Sequence, residues 1–409
     1  MKKTKIYLSA INMLIASFTY AQEENLFKMK WDNGFKLESA DKNFKLKFGG
    51  RIMWDNAFFF QDDSLEANFG VLNNGSEFRR ARFYNSGTIY NNVEYKIQFD
   101  FAGGKATFKD VYITIKGIPA VGHLTVGHFK EPFRLEALTS SKYITFMERA
   151  LPIEMVPERN TGFMLSNEFI DKRLGWQGGI FRRSDGSGND KQADDGYAIT
   201  TRLTGLPFVN EDKTKLLHLG VGFSYRKPES REYEVEARPE AHLGNKYVNT
   251  GAIADVFEIQ MFNAEAALVI GPFSLQSEYT QSNVATKATT SENYAFSSYY
   301  AEVSYFLTGE HRNYKNSYLG FDRVKPKNNF GNGEKGLGAW QLALRYSAID
   351  LNSGDPNTTG IQGGELADIT AGINWYLNPS TRIMLNYVLA QVKDKGNTNI
   401  VQMRFQLDF

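Results

Sequence analysis

The chain contains no cysteine. Disulfides, thiolate nucleophiles and cysteine-ligated metals are excluded at once, and so is a lipid anchor on an N-terminal cysteine. Long apolar runs are missing as well. A membrane-spanning helix needs about 20 consecutive apolar residues, whereas Ala266-Ala-Leu-Val-Ile270 is typical of the apolar stretches beyond the N-terminus. Histidine is scarce, at five residues. His123 and His128 lie five apart, which puts them on opposite faces of a strand and makes poor metal-ligand geometry. Neither Gly-x-Ser-x-Gly nor His-Glu-x-x-His occurs. A large excess of either charge is also absent, the formal net charge being +1.

The N-terminus reads as an export signal over residues 1–21. Lys2, Lys3 and Lys5 precede a mostly apolar stretch from Ile6 to Phe18, and Thr19-Tyr20-Ala21 offers a small-residue cleavage site. Its removal takes three of the 47 basic residues, leaving 44 against 46 acidic residues, a charge of −2. Bulk charge therefore argues against nucleic-acid binding, and any preference for anions must come from local placement of Arg and Lys.

Aromatics are abundant, with 21 Tyr, 31 Phe and 5 Trp, and they are arranged with a period of two. In Val401-Gln-Met-Arg-Phe-Gln-Leu-Asp-Phe409 the apolar residues point one way and Gln402, Arg404, Gln406 and Asp408 the other. Val93 to Phe101 alternates as cleanly, and its inner set would be Glu94, Lys96, Gln98 and Asp100. Such polarity on every second residue is awkward in a packed sandwich but natural on the wall of a water-filled lumen, with lipid on the other side. Segments of this kind recur through the chain about sixteen times. Tight connections such as Asn91-Asn92, Gly271-Pro272 and Asn378-Pro-Ser-Thr381 alternate with long ones such as 61–76, 130–160, 227–254 and 352–365. The pattern predicts an all-β, 16-stranded antiparallel transmembrane β-barrel over residues 44–409, after a periplasmic lead-in over 22–43. The connection 309–338 is long yet falls on the short-turn side. Either it folds against that rim or the count is off by two.

The connection 130–160 is too apolar for a solvated loop. Leu135, Leu138, Tyr143, Ile144, Phe146, Met147 and Leu151 need a surface to bury against. Folding back into the lumen supplies one, and Lys130, Arg134, Lys142, Arg149 and Arg159 would then line or brace a constriction. A second basic group is Glu77-Phe-Arg-Arg-Ala-Arg-Phe83. Alternation turns Arg80 and Arg82 inward, about 7 Å apart, and Arg79 outward. Guanidinium binds phosphate oxygens through a bidentate fork. Pairing with wall carboxylates such as Glu94 and Asp100 is the competing role.

Six stretches, in order, resemble the phosphate-selective porin O and P family. They are Phe78-Arg-Arg-Ala-Arg-Phe83, Leu124-Thr-Val-Gly127 with Phe129-Lys-Glu-Pro-Phe133, Leu138 to Arg149, Arg202-Leu-Thr-Gly-Leu-Pro-Phe208, Ser304 to Glu310 with Arg323-Val-Lys-Pro326, and Gly338-Ala-Trp340 with Arg345-Tyr-Ser347. The resemblance implies a trimeric outer-membrane channel for small, phosphate-like anions, with no cofactor, no metal and no catalytic residue. It implies anion contacts at Arg51, Arg79, Arg80, Lys130, Arg134 and Lys142, to which the alternation adds Arg82 and Lys96 and the loop adds Arg149. The external arginine run of such relatives is not evident, since Arg226, Arg231 and Arg238 are scattered among glutamates. Phe409 reads as a terminal signature of the sort that barrel-assembly machinery recognises, by resemblance to other outer-membrane proteins. A weakly selective diffusion pore is the alternative, followed by a barrel-type outer-membrane enzyme and a structural barrel or adhesin.

Overall fold

The computed structural model describes residues 27–189, 196–287, 293–331, 336–355 and 357–409. The expected export signal and the start of the lead-in lie outside them. Sixteen long strands follow one another round a closed sheet. They are β1 (Phe44–Gln61), β2 (Gly75–Ile89), β3 (Val93–Asp100), β4 (Thr107–Ile118), β5 (Gly122–Lys130), β6 (Arg159–Phe169), β7 (Leu174–Arg182) and β8 (Ala198–Val209), then β9 (Lys215–Arg226), β10 (Val256–Ile270), β11 (Phe273–Thr286), β12 (Asn293–Phe306), β13 (Ala339–Ser353), β14 (Ile361–Asn378), β15 (Thr381–Val392) and β16 (Gly396–Asp408). Each pairs antiparallel with its sequence neighbour. β16 closes the barrel on β1, in a register running from Thr398 opposite Gln61 to Asp408 opposite Arg51. Closure removes the free edges that an open sheet would present to lipid.

The alternation read from the sequence sorts the two faces. On β16, Gln402, Arg404, Gln406 and Asp408 are buried inside, while Phe405 and Leu407 are exposed outside. Trp340 and Trp375 stack on the outer wall with ring centroids 5.1 Å apart, near the short-turn rim. Amphipathic rings of this kind suit a membrane–water interface. Apart from 307–338, the connections at that rim are short: Tyr90 and Asn91 turn β2 into β3 with φ of 48° and 60°, and Gly271 takes φ 54° before β11. Upstream, Phe27–Trp31 and Phe35–Ser39 form a hairpin whose second strand pairs with Lys45 to Phe48 of β1.

The strand count stands at sixteen, and the long connection over 307–338 does lie at the short-turn rim. It rises into the barrel. Arg312 Nη1 donates to Gln276 Oε1 at 3.0 Å, and Arg202 Nη1 donates to the Ser317 carbonyl at 2.7 Å. Two segments enter from the opposite rim. The connection between β9 and β10 places Glu240 against Ser347 Oγ at 2.5 Å and Thr370 Oγ1 at 2.6 Å. The connection between β5 and β6 buries Leu135, Leu138, Ile144, Phe146, Met147 and Leu151, six of the seven apolar residues that called for cover, and leaves Tyr143 half-buried.

Candidate functional site

The site begins with a fault in the sheet. Between β1 and β2 the register slips at Met53/Trp54, where Met53 faces Arg80 but Trp54 faces Phe78. Arg79 is the extra residue, and a bulge of this kind re-aims a side chain. Phe78 and Phe83, five apart, can therefore both face outward. Arg79, expected to point outward, instead joins Arg80 and Arg82 inside. Its Nε and Nη2 reach the two oxygens of Glu148 at 2.9 Å each. Nothing in the local sequence marks the bulge, because no Gly or Pro stands there.

The loop carrying Glu148 is held by the wall through its backbone. The carbonyls of Lys142, Ile144 and Thr145 accept from Gln406 at 3.1 Å, Arg382 at 2.9 Å and Asn374 at 2.8 Å. The Met147 carbonyl accepts from Arg404, and that of Glu148 from Arg345 at 2.9 Å. These donors come from β13 to β16, so the far wall clamps the loop across the lumen. Sequence reading missed Arg345 and Arg382 as clamps. Inward alternation alone could have nominated them, but it does not say what they meet.

The same loop is fixed at its start. Arg134 is fully buried, with Nε on Glu278 at 3.1 Å and Nη2 on Glu136 at 2.9 Å. Arg149 donates to the carbonyls of Glu136 at 2.9 Å and Thr139 at 2.8 Å. Lys130 donates to the Ala137 carbonyl. Arg134 and Arg149 thus brace the loop. Lys142 Nζ lies 3.1 Å from Asp408, which also receives Arg323. Burial pushes the Lys142 ammonium down to about 7, assisted by Arg51 and Arg323 and opposed by Asp408.

The remaining basic residues gather on one side of the lumen. Arg82 is paired with Asp100 at 2.7 Å, and Asp110 takes both Lys96 at 2.5 Å and Arg159 at 2.8 Å. Arg82 feels the charges of Arg51 and Arg159, and Lys109 feels those of Arg82 and Arg159, so these groups share one region. Glu158 reaches water within this enclosure. Desolvation by the surrounding wall pushes its carboxyl up, but Arg159, Arg149 and Lys130 more than offset this and hold it down to about 2. Two arginines are left short of partners. Arg51, 6 % exposed, bonds only the hydroxyls of Ser141 at 2.6 Å and Ser140 at 3.4 Å. Arg80, 4 % exposed, touches Met53 Sδ at 3.6 Å and stands 3.7 Å from Glu148. The Nε of each is buried with no hydrogen-bond partner among the described residues. Arg51 is opposite Arg82 and Arg80 opposite Met53 in the β1–β2 register, so the two occupy adjoining inward positions.

Three histidines have polar partners of their own. His218 is buried between Tyr314 at 2.8 Å and Glu265 at 2.9 Å, tying the short-turn connection to the wall. His242 meets Glu77 at 2.7 Å and His128 meets Ser184 at 2.9 Å.

Comparison with known proteins places this arrangement. Residues 46–409 match the family described as phosphate-selective porin O and P. The chain is 27% identical to Porin O of Pseudomonas aeruginosa, over 91% of its own length and 88% of that protein. Among solved structures, the anion-selective porin of Comamonas acidovorans is similar with a TM-score of 0.58 and 12% identity, covering 90% of this chain and all of that one. The outer membrane protein OmpT of Vibrio cholerae is similar with a TM-score of 0.56 and 9% identity, covering 93% of this chain and 99% of that one. At these identities the two structures speak to the fold alone.

Proposed function

We propose, from the premise that this chain belongs to the phosphate-selective porin O and P family and is an outer-membrane porin, that it passes small oxyanions, phosphate foremost, down their gradient. The observation that carries this reading is the pair Arg51 and Arg80: two buried guanidiniums on adjoining inward positions, each with an unbonded Nε. Burying an incompletely paired charge is costly: Arg51 has only serine hydroxyls, and Arg80 shares Glu148, 3.7 Å away, with Arg79 and Arg404, so an anion bearing several acceptor oxygens is the further partner that this geometry calls for.

The inward loop narrows the lumen beside these residues, so a passing anion sheds part of its hydration and takes guanidinium contacts in exchange. Arg82, Arg79, Lys96 and Arg159 are already neutralised by Asp100, Glu148 and Asp110. That partial neutralisation keeps the field moderate, and conduction needs binding weak enough for the ion to leave. The chemistry is transport without a covalent step. Function as a homotrimer, export through the N-terminal signal and recognition of Phe409 by assembly machinery complete the proposal.

The test is planar-bilayer recording. Under a KCl gradient the reversal potential should have the sign for anion preference, and added phosphate should block chloride current. Arg51→Ala or Arg80→Ala should weaken that block while channels still form. Cation preference in the wild type sinks the anion reading and leaves the pore. Anion preference without phosphate block favours the weakly selective pore, for which Asp100, Asp110 and Glu158 on the same wall also speak.

A further inference from the structure

The lipid-facing wall is not uniform. Over β7 to β11 a groove of about 610 Å³ opens on the outer surface, walled by Trp176, Leu203, Val221, Phe223, Phe262 and Tyr279, with Ala264 on its floor. Its lining is apolar, as a hydrocarbon chain requires. Above it, toward the long-loop rim, the outward residues change character. Tyr225 Oη donates to Glu258 at 2.9 Å, and Gln260 donates to the same carboxylate at 3.0 Å. Tyr279 Oη donates to Gln281 at 3.0 Å, and Gln281 to Asn283 at 2.8 Å. Outward amides and a carboxylate do not belong against hydrocarbon, so this tier marks headgroup depth.

Higher still, two lysines converge on one ring. Lys227 Nζ is 5.3 Å and Lys287 Nζ 4.6 Å from the centroid of Phe257. Both lysines are exposed, and neither has a carboxylate within ion-pairing distance among the described residues. Two ammonium groups on one ring, neither with a carboxylate partner, offer an anion two positive charges at once. Lys227 lies four residues above Phe223 on the same outward column, about 13 Å along the strand, a span within one leaflet of a hydrocarbon core about 30 Å thick.

We propose that this face is a binding site for one phosphate-bearing lipid of the outer leaflet. Its phosphate sits on Lys227 and Lys287, its polar headgroup lies along the tyrosine and amide tier, and one acyl chain fills the groove. The three tiers follow the order of a lipid's own parts, and charge complementarity selects an anionic lipid over a zwitterionic one. None of these side chains enters the lumen, so the site is separate from the anion path.

The experiment is native mass spectrometry of the full chain in detergent, titrated with lipid A carrying two phosphates and, in parallel, with its dephosphorylated form. The wild type should retain the phosphorylated lipid and lose affinity for the other by about tenfold or more, given roughly 1 kcal/mol per surface lysine. The Lys227→Ala/Lys287→Ala double variant should bind the phosphorylated lipid about thirtyfold more weakly. Val221→Trp, which fills the groove, should weaken binding of both forms. Wild-type affinity in the double variant overturns the proposal, as does equal binding of the two lipids. Cross-linking of position 221 to a second copy also overturns it, because the groove would then be a subunit contact. The lysines are exposed, so the double variant decides the matter even where the tryptophan variant does not assemble.

Discussion

Arg79 and Glu148, sixty-nine residues apart in sequence, meet inside the barrel as a fork, with two parallel N–H···O bonds of 2.9 Å. Glu148 also accepts from Arg404 at 2.7 Å and stands 3.7 Å from Arg80. Burial pushes this carboxyl up, yet Arg79, Arg80 and Arg404 together hold it well below the usual range. One carboxylate therefore answers three guanidiniums and joins the loop to both sides of the β1–β16 seam.

Glu148→Gln should remove that negative charge while keeping the side-chain volume. The chloride-to-potassium permeability ratio from reversal potentials should rise severalfold, and open-channel noise should increase as the loop loosens. An unchanged ratio would mean that Glu148 does not contribute to the field along the path.

Arg134→Ala should act on stability rather than selectivity. It takes from the fully buried Glu278 its cation, while Glu136 keeps Arg345, and breaking such a buried pair costs about 3–5 kcal/mol. Unfolding in detergent, followed by the loss of heat-modifiable gel mobility, should occur at lower temperature. Channels that still form should keep their ion preference.

Selectivity should depend on pH through Lys142. With its ammonium pushed down to about 7, the side chain is charged below that pH and neutral above it. Anion preference should therefore fall as pH rises from 6 to 8. The carboxylate of Asp408 keeps Arg323 as partner throughout. Reversal potentials across this range test the sign, and Lys142→Met should flatten the response.

How much of this was legible in the residues depended on distance along the chain. Alternation told inside from outside on β16 and β3, because a strand's side chains must alternate. It failed at Arg79, because a one-residue bulge inverts the parity and leaves no compositional trace. The apolar character of 130–160 announced that the loop must be covered. Which cations stay free was not legible. Arg345 finds Glu240 and Glu136 only because two loops return across the lumen. Arg51 and Arg80 are short of partners for the converse reason: among the described residues no carboxylate bonds Arg51, and Arg80 has only Glu148, 3.7 Å away and shared with Arg79 and Arg404.

Gly50→Val should impair closure of the barrel. A Cβ at Gly50 would sit 2.6 Å from the Arg82 carbonyl and 2.7 Å from the Phe409 ring, and one at Gly49 would sit 2.5 Å from the Phe409 carbonyl. The yield of folded, heat-modifiable protein should drop sharply, whereas Gly50→Ala should be milder. Equal yields would show that the seam tolerates a side chain there.

The seam between β16 and β1 also sets a constraint in time. Asp55 and Arg404, which bond across it, are 349 residues apart. The fifteen other strand junctions are local, each between sequence neighbours, and can form as hairpins do. The last one closes a loop as long as the barrel itself, and the search for such a contact is slow. Until it forms, both outer edges of the sheet remain open to pairing with any other strand. Closure at Asp55 and Arg404 is therefore the contact that removes both edges at once.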